Sequence, residues 1–388
     1  MDQSMLRRLT ELTDDAGILS IYATVDLAAE QTPQPAVLLY AQLAELQRRT
    51  EAEQPSRAAA VRHRLRALEP QLSALVNSST GGIGRVLFAP VGHGQPQLLT
   101  FPLPVPPMAV YRRTAYLLPL LPVAEASAPV GVALLSRQGV RLAEWTPAGL
   151  APLVTFPFQP LPTHRQATAA VRAGRGTSGW HAVINPEQAE RHRLALLVRF
   201  MRQVSHGVGR RAASRGWNLL VVTGDPRLAE PFEVGLHDQA PKLLLARSPH
   251  LLSTAPSGRV VAEAVPNLVA FRRMTQLELA RRARAAGLAG GHGAYGLGDC
   301  LGALTDGRVA RLVVDGAACW RGSRTPDGRL VPGDEVPPGV PADALIAEPN
   351  LAESMVERAL AIGADVTVVS GAAAEALAPA GVAAILRW

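Results

Sequence analysis

Cysteine and lysine are scarce in this chain of 388 residues. The two cysteines, Cys300 and Cys319, exclude a disulfide scaffold and a cysteine-rich zinc module. Lys242 is the only lysine, and its surroundings do not form a phosphate-binding P-loop. The nucleophile motif G-x-S-x-G and the zinc motif H-E-x-x-H are absent too. The sequence therefore predicts no catalytic residue, no metal site and no cofactor.

Long uninterrupted apolar runs are also missing. The most apolar stretch, residues 115–135, contains three prolines and Glu125, and it lacks the roughly 20 clean apolar residues of a membrane span. The first residues show no basic segment followed by an apolar one. We therefore expect a cytoplasmic protein without a membrane anchor. An apolar content of 48% excludes a wholly disordered chain.

Charge is distributed unevenly along the chain. A Pro-rich stretch at residues 117–129, interpreted as a linker, and a change of pattern near Arg273 divide the sequence into three predicted domains, 1–127, 128–272 and 273–388. The middle domain holds 17 Lys and Arg residues against 8 Asp and Glu residues, a net charge of +9, and six of the nine histidines. The first domain has a net charge of 0 and the last a net charge of −2. Codon bias would spread arginines evenly, so the segregation indicates a polyanionic partner.

The pattern of apolar residues predicts a mixed α/β fold. The first domain is expected to be an α+β module with a helical break at Pro55. In the middle domain, hairpin strands at 130–135 and 140–145, a helix over 186–214 and a buried strand at 218–223 indicate an α/β layer. A helix over 259–286 is expected to break at Pro266. The last domain is predicted to be an α/β/α sandwich with a Gly-, Pro- and Asp-rich insertion at 322–341.

The helix predicted over 186–214 has two different faces. Five basic residues fall within an arc of roughly 100° when successive residues advance by about 100°. We call them the basic stripe: Arg191, Arg199, Arg202, His206 and Arg210. The opposing face consists of Leu194, Leu197, Met201, Val204 and Val208. Because guanidinium groups bind phosphate oxygens bidentately, the stripe predicts contact with an RNA backbone. A solvated helix face is the alternative.

A loop before this helix, residues 162–181, is rich in Gly, Thr and Arg. Its arginines, Arg165, Arg172 and Arg175, extend the basic character of the stripe, and Trp180 and His181 could stack on a base. A plain surface loop with Trp180 in the core is equally consistent with the sequence. Further along, Gly291, Gly293 and Gly296 match G-x-G-x-x-G, but a helix precedes them, so dinucleotide binding is not expected.

Several segments together carry a family resemblance. They are the basic middle domain with its Gly/Arg loop and long helix, and, in the last domain, 296–304 (GLGDCLGAL), 307–315 (GRVARLVVD), 351–360 (LAESMVERAL) and 381–387 (GVAAILR). With them the chain resembles, over essentially its whole length, the bacterial relatives of archaeo-eukaryotic peptide chain release factor 1 and Pelota, a group that includes ribosome hibernation factors.

The resemblance implies a three-domain translation factor in the A site of the 70S ribosome. The middle domain would reach toward the peptidyl-transferase centre, and the first domain would lie in the decoding region. The last domain would contact the large subunit or a translational GTPase. In bacteria that GTPase would be elongation factor Tu, and the sequence leaves open whether it binds. Off the ribosome, a monomer is expected.

One departure from the family decides the expected activity. The loop that matches the Gly-Gly-Gln position of release factors reads Gly176-Thr177-Ser178-Gly179, and Gly-Gly-Gln occurs nowhere in the chain. No hydrolysis of peptidyl-tRNA is therefore expected, and hibernation is favoured. A Pelota-like rescue factor or a release factor remains an alternative. A tRNA-directed nuclease or an RNA-binding stress protein acting off the ribosome is the second alternative.

Overall fold

The computed structural model describes residues 3–25, 35–77, 81–159, 186–248, 256–333 and 335–388. These residues form the mixed α/β fold that the sequence predicts. The chain divides into two compact units. Unit 1 combines residues 1–128 with residues 272–388, and unit 2 consists of residues 129–271. The first and last predicted domains thus lie within a single unit.

The N-terminal part of unit 1 combines an antiparallel sheet with helices. Its elements are α1 (Gln3–Thr10), β1 (Thr13–Thr24), α2 (Pro35–Glu53), α3 (Pro55–Ala67), α4 (Glu69–Val76), β2 (Gly84–Pro90), β3 (Gln97–Phe101), β4 (Met108–Thr114) and α5 (Leu120–Ser127). The sheet order is β3-β2-β1-β4. The helical break predicted at Pro55 is confirmed, since Pro55 lacks an N–H and begins α3.

The prediction that residues 117–129 form a linker is wrong. Residues 120–127 form α5, and Leu117 and Leu120 are fully buried. Its prolines do not prevent a helix, because Pro119 precedes the helix and Pro122 lies in the first turn, where no N–H partner is needed. The segment is apolar because its leucines are packed in the hydrophobic core.

Unit 2 is a five-stranded mixed sheet with the order β7-β6-β5-β8-β9. Its elements are β5 (Val130–Ser136), β6 (Gly139–Thr146), β7 (Gly149–Pro157), α6 (Pro186–Arg215), β8 (Leu219–Gly224), α7 (Pro226–Gln239), β9 (Leu244–Ser248) and the first part of α8 (Ser257–Ala289). The predicted hairpin β5–β6 is antiparallel, and β5, β8 and β9 run parallel.

The predicted break at Pro266 is wrong, because α8 continues through it. Val260, Ala264 and Leu268 are buried in one cluster with the sheet of unit 2, on both sides of the proline. Burial of these apolar side chains offsets the hydrogen bond that proline removes from a helix interior.

The C-terminal part of unit 1 is the predicted α/β/α sandwich. After α8 come β10 (Gly293–Tyr295), α9 (Leu297–Thr305), β11 (Val309–Asp315), β12 (Gly322–Arg324), β13 (Leu330–Pro332), β14 (Ile346–Glu348), α10 (Leu351–Ala361), β15 (Asp365–Val369), α11 (Ala372–Glu375) and β16 (Val382–Leu386). The main sheet has the order β10-β16-β11-β15. One face packs against α9 and α10, and the other against α8 and α11. The predicted insertion contributes β12 and β13 to a separate three-stranded sheet.

The two parts of unit 1 share one hydrophobic core. Tyr22 and Phe88 of the N-terminal sheet are buried in the same cluster as Met355 and Leu360 of α10. The opposite face of that sheet packs against α2, α3 and α4. Since both faces of the N-terminal sheet are covered, the first and last segments of the chain depend on each other for burial.

A network of charged side chains joins the same two parts. Arg112 of β4 pairs with Glu348 of β14 and donates a hydrogen bond to Ser354 Oγ (3.1 Å). Arg324 of β12 donates to Glu348 (2.7 Å), and its Nη2 lies 3.3 Å from Glu357. These groups are mostly buried, so each arginine is compensated by a carboxylate where water is largely excluded.

Glu353 of α10 is the most deeply buried carboxyl group near this network, with 1% of its surface exposed. The backbone N–H groups of Leu117 and Leu118 donate to its two carboxylate oxygens, at 2.5 and 2.7 Å. Burial raises the pKa of Glu353 to about 7, although these hydrogen bonds and Arg112 favour the ionised form. Glu353 thereby fixes the entry of the chain into α5.

We expect Glu353 to make unit 1 less stable as the pH rises. Between its ordinary pKa of 4.5 and about 7, the folded chain holds a proton that the unfolded chain has released. The free energy of unfolding should fall across this window by up to about 1.4 kcal/mol per pH unit, and level off above it. Urea unfolding of wild type and Glu353→Gln at about pH 5 and about pH 8 measures this, because the variant lacks the ionisation.

The exposed residue Glu335 provides the matched control. Glu335→Gln should retain the wild-type dependence of stability on pH. If Glu353→Gln loses as much stability between the two pH values as the wild type does, Glu353 is not the titrating group.

Candidate nucleic-acid interface

The helix α6 docks against unit 2 through one face. Leu197, Met201, Val204 and Val208 are buried in one cluster with the sheet and α7, as the sequence predicts. Leu194, which was assigned to the same face, is 38% exposed. It lies in the early turns of α6, before the buried stretch begins at Leu197, so periodicity alone placed it wrongly.

The basic stripe occupies the solvent-facing side of α6. Arg191, Arg199, Arg202, His206 and Arg210 are all exposed. Arg191 lies 3.5 Å from Glu187, one turn earlier, in an exposed pair of little energetic weight. Within the described part of the chain, Arg199, Arg202 and Arg210 form no ion pair. Their guanidinium groups are therefore available to an external anion.

The exposed basic surface of α6 is wider than the predicted arc. Arg193 and Arg211 are exposed as well, and sequence reasoning left them out because they lie outside the arc of the stripe. The total charge of the helix was the signal that could have found them, since residues 186–215 contain seven arginines and two glutamates. Unit 2 as a whole holds 16 Lys and Arg residues against 8 Asp and Glu residues.

Aromatic side chains do not contribute to this surface of α6. Phe200 is the aromatic residue of the helix, and its ring packs against Phe158 with a centroid distance of 5.3 Å. The exposed side of α6 therefore offers guanidinium and imidazole groups without a stacking platform. Such a surface suits contact with phosphate oxygens and lacks a ring on which a base could stack.

The backbone of α6 is positioned by a close crossing with α7. A Cβ atom at Gly235 would lie 2.4 Å from Ser205 Oγ and 2.9 Å from the carbonyl oxygen of Arg202. Only glycine lets the two helices approach this closely. At its start, α7 is capped by Asp225, whose side chain accepts the N–H of Arg227 at 3.0 Å. The crossing holds the turn of α6 that carries Arg202.

The end of α6 is held by a partly buried acceptor that sequence reasoning missed. Glu144 of β6 accepts hydrogen bonds from Arg215 (2.9 Å) and from the indole N–H of Trp217 (2.7 Å). A single glutamate on a strand has no sequence signature of this role. The pair anchors the C-terminal end of the helix to the sheet.

The other predicted interface residues lie outside the described residues. They are the loop residues Arg165, Arg172, Arg175, Gly176, Thr177, Ser178, Gly179, Trp180 and His181. Their predicted roles stay predictions.

Other kinds of site find no support in the parts of the chain that are described. Groups of His, Cys, Asp or Glu that could hold a metal ion do not occur there. None of the described helices is long and apolar enough to cross a membrane. Cys300 is buried, which raises the pKa of its thiol to about 12. The helix α8 precedes Gly291, Gly293 and Gly296, as predicted, so their context differs from that of a dinucleotide site.

We expect Gly235→Ala to destabilise unit 2 by about 1–3 kcal/mol, because the added methyl group collides with the backbone of α6. Gly258→Ala is the matched control, since Gly258 is helical and a Cβ atom there meets nothing within 4 Å. Urea unfolding, with hydrogen exchange to locate the effect, measures both. Equal stability of the two variants would show that the crossing of α6 and α7 is not tight.

Comparison with known proteins gives a match to this part of the chain. Residues 116–268 match the model of Bacterial archaeo-eukaryotic release factor family 10. The matched segment includes β5, β6, α6 and α7. No curated protein matches the chain.

Solved structures give weaker similarities. A ribosome-bound archaeal Pelota has a TM-score of 0.35 and 14% identity, covering 100% of this chain and 94% of that chain. Dom34 of S. cerevisiae, a translation termination-like factor, has a TM-score of 0.43 and 10% identity, covering 79% and 80%. An archaeal translation termination factor has a TM-score of 0.23 and 18% identity, covering 99% and 96%.

Because their TM-scores are below 0.5, these structures support no conclusion about function. The family match is the comparison on which we rely. The part of the chain that bears the basic stripe is therefore similar in sequence to bacterial archaeo-eukaryotic release factor family 10.

Proposed function

We propose that this protein is a non-hydrolytic translation factor that occupies the A site of the 70S ribosome and acts in hibernation, in the manner of Balon. The observation that carries the proposal is that the exposed residues Arg199, Arg202 and Arg210 of α6 have no acidic partner among the described residues. They lie in the segment that matches the release factor family. Ribosomal RNA is the polyanion that a factor of this family meets.

The distribution of charge supports RNA as the partner of unit 2. Unit 1 contains 23 Lys and Arg residues and 24 Asp and Glu residues, so the positive charge of the protein belongs to unit 2. Each arginine–phosphate contact releases counterions, which makes the affinity dependent on salt. A surface without exposed aromatic rings on α6 suits backbone contacts in a structured RNA.

The sequence of the loop before α6 supports a non-catalytic role. At the position matching the release loop it reads Gly176-Thr177-Ser178-Gly179, and the chain contains no Gly-Gly-Gln. In release factors that tripeptide positions the attacking water, so we propose that this protein does not hydrolyse peptidyl-tRNA. It would act as a cytoplasmic monomer that binds ribosomal RNA of both subunits, with elongation factor Tu as a candidate partner.

The double variant Arg199→Glu with Arg202→Glu should weaken binding to ribosomes about 10- to 100-fold at low salt. It should also reduce the slope of log K against log salt by about 2, because two phosphate contacts are lost. Cosedimentation with 70S ribosomes over a series of salt concentrations measures both effects.

A second double variant, Arg227→Glu with Lys242→Glu, changes the net charge equally on exposed residues away from α6. It should retain most of the affinity and the wild-type salt slope. If both variants lose affinity equally, the net charge of unit 2, and not the stripe, controls binding. If the first variant keeps the wild-type slope of log K against log salt, the stripe does not contact phosphates and is only a solvated helix face.

Cryo-electron microscopy of vacant 70S ribosomes mixed with the protein should show density in the A site, with residues 172–181 near the peptidyl-transferase centre. A parallel assay on stalled ribosome complexes should show no release of peptide. Release of peptide or splitting of the subunits would instead indicate a rescue or release factor. Empty A sites at saturating protein, combined with tRNA cleavage, would indicate an RNA-directed enzyme.

A further inference from the structure

Three arginines from distant parts of unit 1 meet at the turn between α10 and β15. Arg7 of α1 donates through Nη2 to the carbonyl oxygen of Gly363 (3.2 Å). Arg387, which follows β16, donates through Nη2 to the carbonyl oxygen of Ile362 (2.8 Å). Arg311 of β11 binds the carboxylate at the start of β15. We call Arg7, Arg311 and Arg387 the arginine cluster.

The arginine cluster carries more positive charge than its carboxylate compensates. Asp365 lies 2.9 Å from Arg311 and 3.8 Å from Arg7, so one carboxylate serves two guanidinium groups. Arg387 forms no ion pair with a described residue, and its guanidinium group donates to carbonyl oxygens. Three arginines against one aspartate leave two positive charges. Unit 1 as a whole has no excess of basic residues, so the cluster is a local exception.

Contacts with carbonyl groups hold the guanidinium groups without neutralising them. The last carbonyl groups of a helix have no partner within the helix, and a cation there is favoured by the helix dipole. Capping of α10 in this way uses only part of the donors of Arg7 and Arg387, since a guanidinium group has five N–H groups. Arg7 Nε is buried without a hydrogen-bond partner among the described residues, so an acceptor is missing beside it. The cluster is thus held in place with donors to spare.

The cluster is accessible to a ligand and is followed by an exposed aromatic ring. The side chains of Arg7 and Arg311 are 40% and 43% exposed, and Arg387 is exposed. Trp388, the next residue after Arg387, is 63% exposed. Capping of α10 does not account for an exposed indole. Guanidinium groups beside an aromatic ring are the combination that binds unpaired nucleotides, and the exposed side of α6 lacks such a ring.

We propose that the arginine cluster and Trp388 form a second nucleic-acid contact of this protein, a site for an unpaired nucleotide of single-stranded RNA. The guanidinium groups bind the phosphate oxygens, and the indole stacks on the base. The site lies within unit 1. It depends neither on the basic stripe of α6 nor on a role at the ribosome.

Fluorescence anisotropy with a labelled, unstructured RNA of about 10 nucleotides tests the site in the full-length protein. The double variant Arg199→Glu with Arg202→Glu serves as the background, so that the basic stripe contributes little. In this background, Arg387→Gln should weaken binding about 10-fold, because a charge-assisted contact is lost. It should also reduce the slope of log K against log salt by about 0.7, the value for one phosphate of a single strand.

The matched control for the charge is Arg113→Gln. Arg113 is an exposed arginine of β4 in the same unit, and it pairs with no described carboxylate. This variant should keep both the affinity and the salt slope of the background. A loss as large as that of Arg387→Gln would overturn the proposal, because the total charge would then control binding.

A pair of variants at Trp388 tests the stacking contact without a change of charge. Trp388→Leu should weaken binding about 10-fold with an unchanged salt slope, whereas Trp388→Phe keeps a ring and should retain most of the affinity. This pair decides the question even if Arg387→Gln does not fold. Equal affinities of Trp388→Leu and Trp388→Phe would overturn the proposal.

Competitors identify the source of the nucleotide. Unlabelled single-stranded RNA should displace the probe at far lower nucleotide concentration than AMP or an RNA duplex does. Displacement by AMP at the same nucleotide concentration would assign the site to a free nucleotide and overturn RNA as its ligand. Displacement by the duplex as effective as that by the single strand would show that no base is stacked.

Discussion

Burial of Glu353 between the two parts of unit 1 is the constraint on which much of the architecture depends. Its carboxylate accepts the N–H groups of Leu117 and Leu118, which precede α5. A buried carboxylate with two backbone donors must stay in place, because any displacement leaves donors and acceptor unsatisfied. The contact joins residues more than 230 positions apart in the sequence. It ties α10 to the start of α5 within the shared core of unit 1.

In unit 2, the helix α6 has apolar residues on its buried face and basic residues on its exposed face. The buried residues of α6 dock against the sheet and α7, and the absence of a Cβ atom at Gly235 permits the close crossing under Arg202. On the outer side, Arg199, Arg202 and Arg210 form no ion pair with a described acidic residue. A rigid helix that carries unpaired guanidinium groups presents a fixed array to phosphates, so little ordering is required on binding. This arrangement gives the proposed ribosomal role its physical basis.

Much of the fold was predictable from local patterns. The hairpin β5–β6, the helix α6 and the α/β/α sandwich follow from periodicity and turn residues. Two predictions failed where tertiary packing overrides local rules. Prolines indicated a linker at residues 117–129 and a break at Pro266, but burial of Leu117 and Leu120, and of Val260 and Leu268, stabilises helices at both places.

The sequence by itself determined the basic character of the middle segment and the amphipathic face of α6, because charge and helical periodicity are local properties. Tertiary structure decided that the two ends of the chain form one unit, that Glu353 is buried, and that Glu144 anchors α6. These contacts join residues tens to hundreds of positions apart. Nothing in the local sequence around such residues specifies a distant partner, and only the folded chain brings the two together.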